Sequence, residues 1–190
     1  MDYKEYLEQV SVISNQLNEQ KTQMEKILKI LSDAKNEAKQ IFICGNGGSA
    51  GTATHMACDL FKMSGLRAIS LDENTPLLTA LINDDGWDNL YTSQLERLYI
   101  PGDILIAISV HGGVGEDKAG KWSQNINKAI EYVNGNCGKT IGFSGFDGGA
   151  MKKDCTVCIV IPANSTPLVE SFHGVLHHFV AFALQTGNRA

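Results

Sequence analysis

What this 190-residue sequence lacks narrows its class before any motif is read. No run approaches the roughly 20 apolar residues of a membrane span, and the polar opening MDYKEYLEQV carries no apolar signal segment. A cytoplasmic protein with no membrane partner is expected. There is no basic excess: 16 Lys and Arg against 21 Asp and Glu give a net charge of −5. That sign argues against a nucleic-acid partner and leaves room for a local anion site. Only 19% of residues are charged, which leaves much surface to cover and points to an oligomer. The 5 cysteines are an odd number, several inside apolar runs such as IFIC and CTVCIVI. They read as buried free thiols of a reducing compartment rather than a disulfide framework. Cys155-x-x-Cys158 falls in a predicted strand with no helix start behind Cys155, which favours core cysteines over a redox pair.

What is present is one domain's worth of chain, able to bury roughly 70% of its unfolded surface. Residues 3 to about 35 hold no Gly or Pro and repeat apolar positions (Tyr6, Val10, Ile13, Leu17, Met24, Ile27, Leu31) at helical spacing. This N-terminal helical region, 1–35, is expected to pack on the core or on a neighbouring subunit as one helix or two. From 36 to 190 strands and helices alternate. Strands are predicted at 40–44, 66–71, 103–110, 139–144 and 155–161. Helices are predicted at 50–62, 75–83, 88–99, 120–133 and 167–186, with a short helix or turn at 146–152. DILIAISV at 103–110 is continuously apolar and so central. The pattern predicts an α/β three-layer sandwich around a five-stranded parallel sheet. Ligands of such sheets bind beyond the strand carboxyl ends, here 44–49, 71–74, 109–113 and 144–149.

Gly45-Asn46-Gly47-Gly48-Ser49 joins the first strand to a helix. The free N–H groups of a helix start favour an anion, and Ser49 is placed to cap the helix. The spacing is neither the dinucleotide Gly-x-Gly-x-x-Gly nor a triphosphate loop; the plainer reading is a tight turn. Ser109-Val110-His111-Gly112-Gly113, closing the third strand, offers a hydroxyl, an imidazole and backbone donors, or is simply a loop.

His55 and Asp59, four apart, share a helix face and form half of a metal or acid–base site. The other half lies in the last helix, in Glu170, His173, His177 and His178. From Glu170, His173 lies at about 300°, His177 at about 340° and His178 at about 80°. His173 and His177 therefore share Glu170's face. Glu170 and His178 are about 12 Å apart along a straight helix, too far for easy coordination of one ion by a single helix: either the helix starts after Glu170, or the two residues serve sites in different subunits.

GNGGS with Thr54-His55-Met56-Ala57-Cys58-Asp59-Leu60, then Asn83-Asp84-x-Gly86 and Glu170-Ser171-Phe172-His173-x-x-x-x-His178, resembles the sugar isomerase (SIS) domain of phosphoheptose isomerases, over roughly 35–186. The resemblance implies an SIS, flavodoxin-like fold. It implies isomerisation of sedoheptulose 7-phosphate to D-glycero-D-manno-heptose 7-phosphate, a cytoplasmic homotetramer with interfacial sites, and zinc or another divalent ion. It carries the metal set to His55, Asp59, Glu170 and His178, and acid–base roles to Asp59 and His178; an enediolate mechanism needs a base at carbon, for which either Asp59 or Glu170 serves. Substrate contacts fall on Gly45, Asn46, Gly47, Gly48, Ser49, Asn83, Asp84, Ser109 and His111. Two departures stand out. Asp59 is a methylene shorter than the family's Glu, and Glu170 replaces its Gln, giving a two-His, two-carboxylate set suited to Zn²⁺. The family's hydroxyl-rich Ser-Thr-Ser-Gly-x-Ser run becomes Ser109-Val110-His111-Gly112-Gly113-Val114, followed by about nine extra residues before the next helix, so His111 and backbone N–H groups are left to hold a phosphate. The alternative is a non-catalytic SIS-type protein that binds a phosphosugar or regulates a partner, as replication-initiation regulators of this fold do.

Overall fold

A computed structural model describes residues 2–113 and 123–185. In chain order the elements are α1 (Tyr3–Leu17), α2 (Lys21–Asn36), β1 (Gln40–Gly45), α3 (Gly48–Lys62), β2 (Arg67–Ser70), α4 (Thr75–Asp84), α5 (Thr92–Leu98), β3 (Ile104–Ile108), α6 (Gln124–Gly135), β4 (Lys139–Ser144), α7 (Met151–Asp154), β5 (Val157–Val160) and α8 (Thr166–Ala183). The five strands are parallel throughout, in the order β2-β1-β3-β4-β5. β3 lies in the middle, where its unbroken apolar run put it, and is buried along its whole length.

Alternation along each strand divides the interior in two. Ile41, Ile43, Ile104, Ile106, Ile108, Ile141 and Phe143 face α2, α3 and α8 and join one apolar cluster. Phe42, Cys44, Leu105 and Ala107 face the other way, against Leu95 of α5 and Ile126, Ala129, Ile130 and Val133 of α6. The result is the expected sandwich: helix, sheet, helix.

The N-terminal stretch is two helices, separated by a single 3₁₀ turn at Asn18–Gln20. α1 opens with a reciprocal cap, in which the Asp2 carboxylate accepts from the Glu5 N–H and the Glu5 carboxylate accepts from the Asp2 N–H. Ile13, Ile27, Leu31 and Ala34 enter the same core as the sheet. Gln20 seals the edge of β5: its amide donates to the Val160 carbonyl at 2.6 Å and accepts from the Val160 N–H at 2.9 Å.

Among the described residues no helix is long and apolar enough to cross a membrane. All five cysteines are free. Cys44 is buried as expected, but Cys58, on the outward face of α3, and Cys137, in the polar turn between α6 and β4, are exposed. Burial pushes the Cys158 thiol up to about 11 and raises Cys155 further, so neither is a thiolate at neutral pH.

Candidate active site

Five parallel strands put all their carboxyl ends on one rim, and the connections reverse direction between β1 and β3. That switch point opens a crevice. One wall is the glycine turn, 45–49; the other is 109–113.

The turn is built tightly. Gly47 takes φ 60°, ψ −123°, and a side chain on Gly45 would run into the Ser49 backbone at 2.6 Å. Gly47, not Ser49, precedes α3, and no side chain caps the helix; Ser49 sits buried inside the first turn. A polar network underlies the turn. Asp72 accepts from the Gly45 N–H at 3.1 Å. The Tyr91 hydroxyl lies 2.5 Å from the Gly45 carbonyl and 2.8 Å from Asp72 Oδ1. Asn46 exchanges amide hydrogen bonds with Asn125 at 2.9 and 3.0 Å. Burial raises Asp72 to about 6, more than its hydrogen bonds from Tyr91, Gly45 and Ser70 lower it.

On the opposite wall, Ser109 spends its hydroxyl accepting from the Gly113 N–H at 3.2 Å. The His111 ring stacks on Phe146 with centroids 4.2 Å apart. The longer loop that follows lies outside the described residues. Asn83 and Asp84 end α4 exposed, with Asn83 donating to Asp84 at 2.7 Å. No described hydrogen bond or ion pair ties them to the turn.

Farther along α3, imidazoles gather on one acid. Asp59 Oδ2 lies 3.5 Å from His55 Nε2, 3.3 Å from His177 Nε2 and 3.2 Å from His178 Nδ1. Asp59 Oδ1 has no described hydrogen-bond or ion-pair partner. His55 and His178 are half exposed, while the His177 side chain is 3% exposed. Burial first, then the neighbouring His178 and His55, holds His177 near pKa 4, against the pull of Asp59.

Of the residues the sequence singled out, the structure thus joins His55, Asp59 and His178, adds His177, and leaves Glu170 elsewhere. The Glu170 carboxylate lies on Gly48, where a Cβ would collide with Oε1. Gly48 precedes His55 by seven residues and Glu170 precedes His177 by seven. α3 and α8 therefore run side by side in one register, with Glu170 entering α8 two turns, about 10 Å of helix rise, before His177.

The cluster fits a divalent cation. A tetrahedral zinc ion, about 2.0–2.2 Å from its N and O ligands, spaces those ligands about 3.3–3.5 Å apart. His55 and His178 stand off Asp59 by 3.5 and 3.2 Å. One ligand atom from each of the four residues lies within 4.8 Å of the rest.

Nothing in the sequence singles out Asp72, Tyr91 or Asn125. A buried acid two residues past a strand and a tyrosine 19 residues later carry no joint signal until the fold brings them together.

The SIS domain family model matches residues 5–116. The chain is 34% identical over 182 residues to the phosphoheptose isomerase of Aliarcobacter butzleri, covering 93% of this chain and 92% of that one. It is 38% identical over 156 residues to that of Nitratiruptor sp., covering 80% and 79%. In fold it superposes on a phosphoheptose isomerase structure from Francisella tularensis with a TM-score of 0.86, at 22% identity and 97% and 98% coverage. A structure from Neisseria gonorrhoeae gives 0.84, at 24% identity and 95% coverage of both. With a matching family model over more than half its length and full-length relatives above 30% identity, the chain belongs to the SIS domain family and, within it, to the phosphoheptose isomerases.

Proposed function

We propose that this protein interconverts sedoheptulose 7-phosphate and D-glycero-D-manno-heptose 7-phosphate in the cytoplasm, using a zinc ion held by His55, Asp59 and His178. One observation carries the reading: imidazoles from helices more than a hundred residues apart converge on a single carboxylate oxygen of α3, the helix that begins at the glycine turn.

Aldose–ketose isomerisation moves a proton between C1 and C2 through an enediolate, which calls for a base at carbon and a charge stabiliser at oxygen. Asp59 suits the first task. Its Oδ2 is taken up by the imidazoles, and Oδ1 is left to accept the carbon-bound proton. His178, half exposed beside it, suits proton transfer between O1 and O2. When bound, the divalent cation polarises the sugar carbonyl and steadies the developing oxyanion. Glu170, two turns away, accepts hydrogen bonds from hydroxyls along the sugar chain. Its negative charge at the start of α3 turns a phosphate away from the glycine turn and toward the loop of Ser109 and His111. The remaining substrate contacts are assigned to the glycine turn with Asn46 and Ser49, and to Asn83 and Asp84 of α4.

The exposed side chains Val175, Phe179 and Phe182 of α8, with Phe61 of α3, give an apolar face to the two helices that carry the imidazoles. That face supports a homotetramer whose contacts close over the sites. The test is isomerase turnover on heptose and pentose phosphates, with chelator-treated and zinc-restored protein, and with Asp59→Ala and His178→Ala. Loss of turnover in both variants is expected; activity untouched by either substitution rejects the assignment.

A further inference from the structure

Resting on the cation site just proposed, we infer that His177, and not Glu170, supplies its fourth ligand, so that one protomer holds the whole set. Family resemblance points to Glu170 for that place, but packing points elsewhere. α3 and α8 run parallel in a fixed register, and Glu170 is spent on Gly48 at one level while His177 meets His55 two turns further on. The Nε2 atom of His177 stands 3.3 Å from Asp59 Oδ2, between the separations of the other two imidazoles and at the spacing of tetrahedral zinc ligands, about 3.3–3.5 Å. Its ring centroid is 4.7 Å from that of His55 and 3.9 Å from that of His178.

The surroundings of the ring make the same case. His177 is buried, and among the described residues its Nε2 meets only the Asp59 carboxylate, at 3.3 Å and without the alignment of a hydrogen bond. Buried polar groups are nearly always satisfied, and an exception calls for an unseen partner. A cation among the three imidazoles and Asp59 gives Nε2 that partner. His178 is the next residue along, about 100° round the helix, so the pair straddles the line facing α3 and reaches the same carboxylate from both sides. An N₃O set of this kind is completed within one protomer and leaves Glu170 for the sugar; polarising the carbonyl would then call for expansion to five-coordination.

The experiment loads the full-length protein with Co²⁺ in place of zinc and counts the paramagnetically shifted, exchangeable imidazole N–H resonances. Three are expected, from His55, His177 and His178. Two overturn the inference, and since no variant is involved, no folding defect can imitate that result. Chelator competition for zinc is then measured on His177→Gln and Glu170→Gln, each checked for folding by circular dichroism. Losing a group behind a ligand costs about 10–100-fold in affinity, so losing the ligand in His177→Gln should cost at least about 100-fold, with Glu170→Gln within a few-fold of wild type. The reverse order overturns the inference. Wild-type protein that takes up no metal rejects the cation site itself; metal held by two imidazoles and Glu170 rejects this inference alone.

Discussion

The carboxylate of Glu170 covers Gly48, the first residue of α3. Gly48 does not need its glycine for backbone reasons, since its φ is not among the positive ones. It is glycine because of what lies above it. Gly48→Ala should therefore fold normally, with stability changed by no more than about 1 kcal/mol, while pushing the Glu170 side chain aside. A hydrogen bond to a charged group contributes about 1.5–3 kcal/mol, so KM for the sugar phosphate should rise by about 10- to 100-fold. Zinc content should stay unchanged. Steady-state kinetics, denaturant unfolding and elemental analysis on one preparation check the three parts.

The acid under the glycine turn gives a pH signature. Asp72 is raised from 3.8 to about 6, chiefly by burial. The native state thus binds this proton more tightly than the unfolded chain. Its contribution to stability is full below pH 3.8 and is lost as pH rises through 6. At about 1.4 kcal/mol per unit, Asp72→Asn should gain on wild type by up to about 3 kcal/mol between about pH 3.5 and pH 7.5. Urea unfolding across that range measures it, and parallel curves for the two proteins would refute it.

His173 works in the opposite sense. Burial lowers it from 6.5 to about 4, against a smaller upward pull from the Ser144 backbone. Here the unfolded chain binds the proton more tightly. The associated stability is present above pH 6.5 and disappears as pH falls through 4, up to about 3 kcal/mol. His173→Leu should flatten the acid limb of the stability profile, and an unchanged limb would show that other groups set it.

Assembly is open to a direct test at Phe182, which is 69% exposed on α8. Phe182→Asp places a charge in the face proposed to join copies. Sedimentation velocity should show the tetramer breaking into smaller species, while circular dichroism stays unchanged. A tetramer that tolerates the charge moves the interface elsewhere.

Much of this architecture was legible in the sequence. The strand runs and the helices between them declared a parallel sheet, and the unbroken DILIAISV named the central strand. The helical wheel put His177 on Glu170's side of α8, and both do face α3. What it could not supply was the level at which each meets α3, since that register is set by packing between helices some 120 residues apart in the chain. Ser49 looked like a helix cap because serine often caps. Only the positive φ of Gly47 shows that the helix begins two residues earlier. Asp72 and Tyr91 were invisible for a related reason: neither residue type is unusual alone, and their meaning lies in a 2.8 Å contact that the strand order creates.

The amide of Gln20 occupies both backbone groups of Val160, as an adjoining strand would. With Lys26 also donating to the Thr156 carbonyl at 2.7 Å, much of that border is already taken, which works against strand addition there. Growth into a larger particle on this side then favours docking helices. Selection for assembly and selection for chemistry then fall on the same helical ridge, and a change that alters one will be felt by the other.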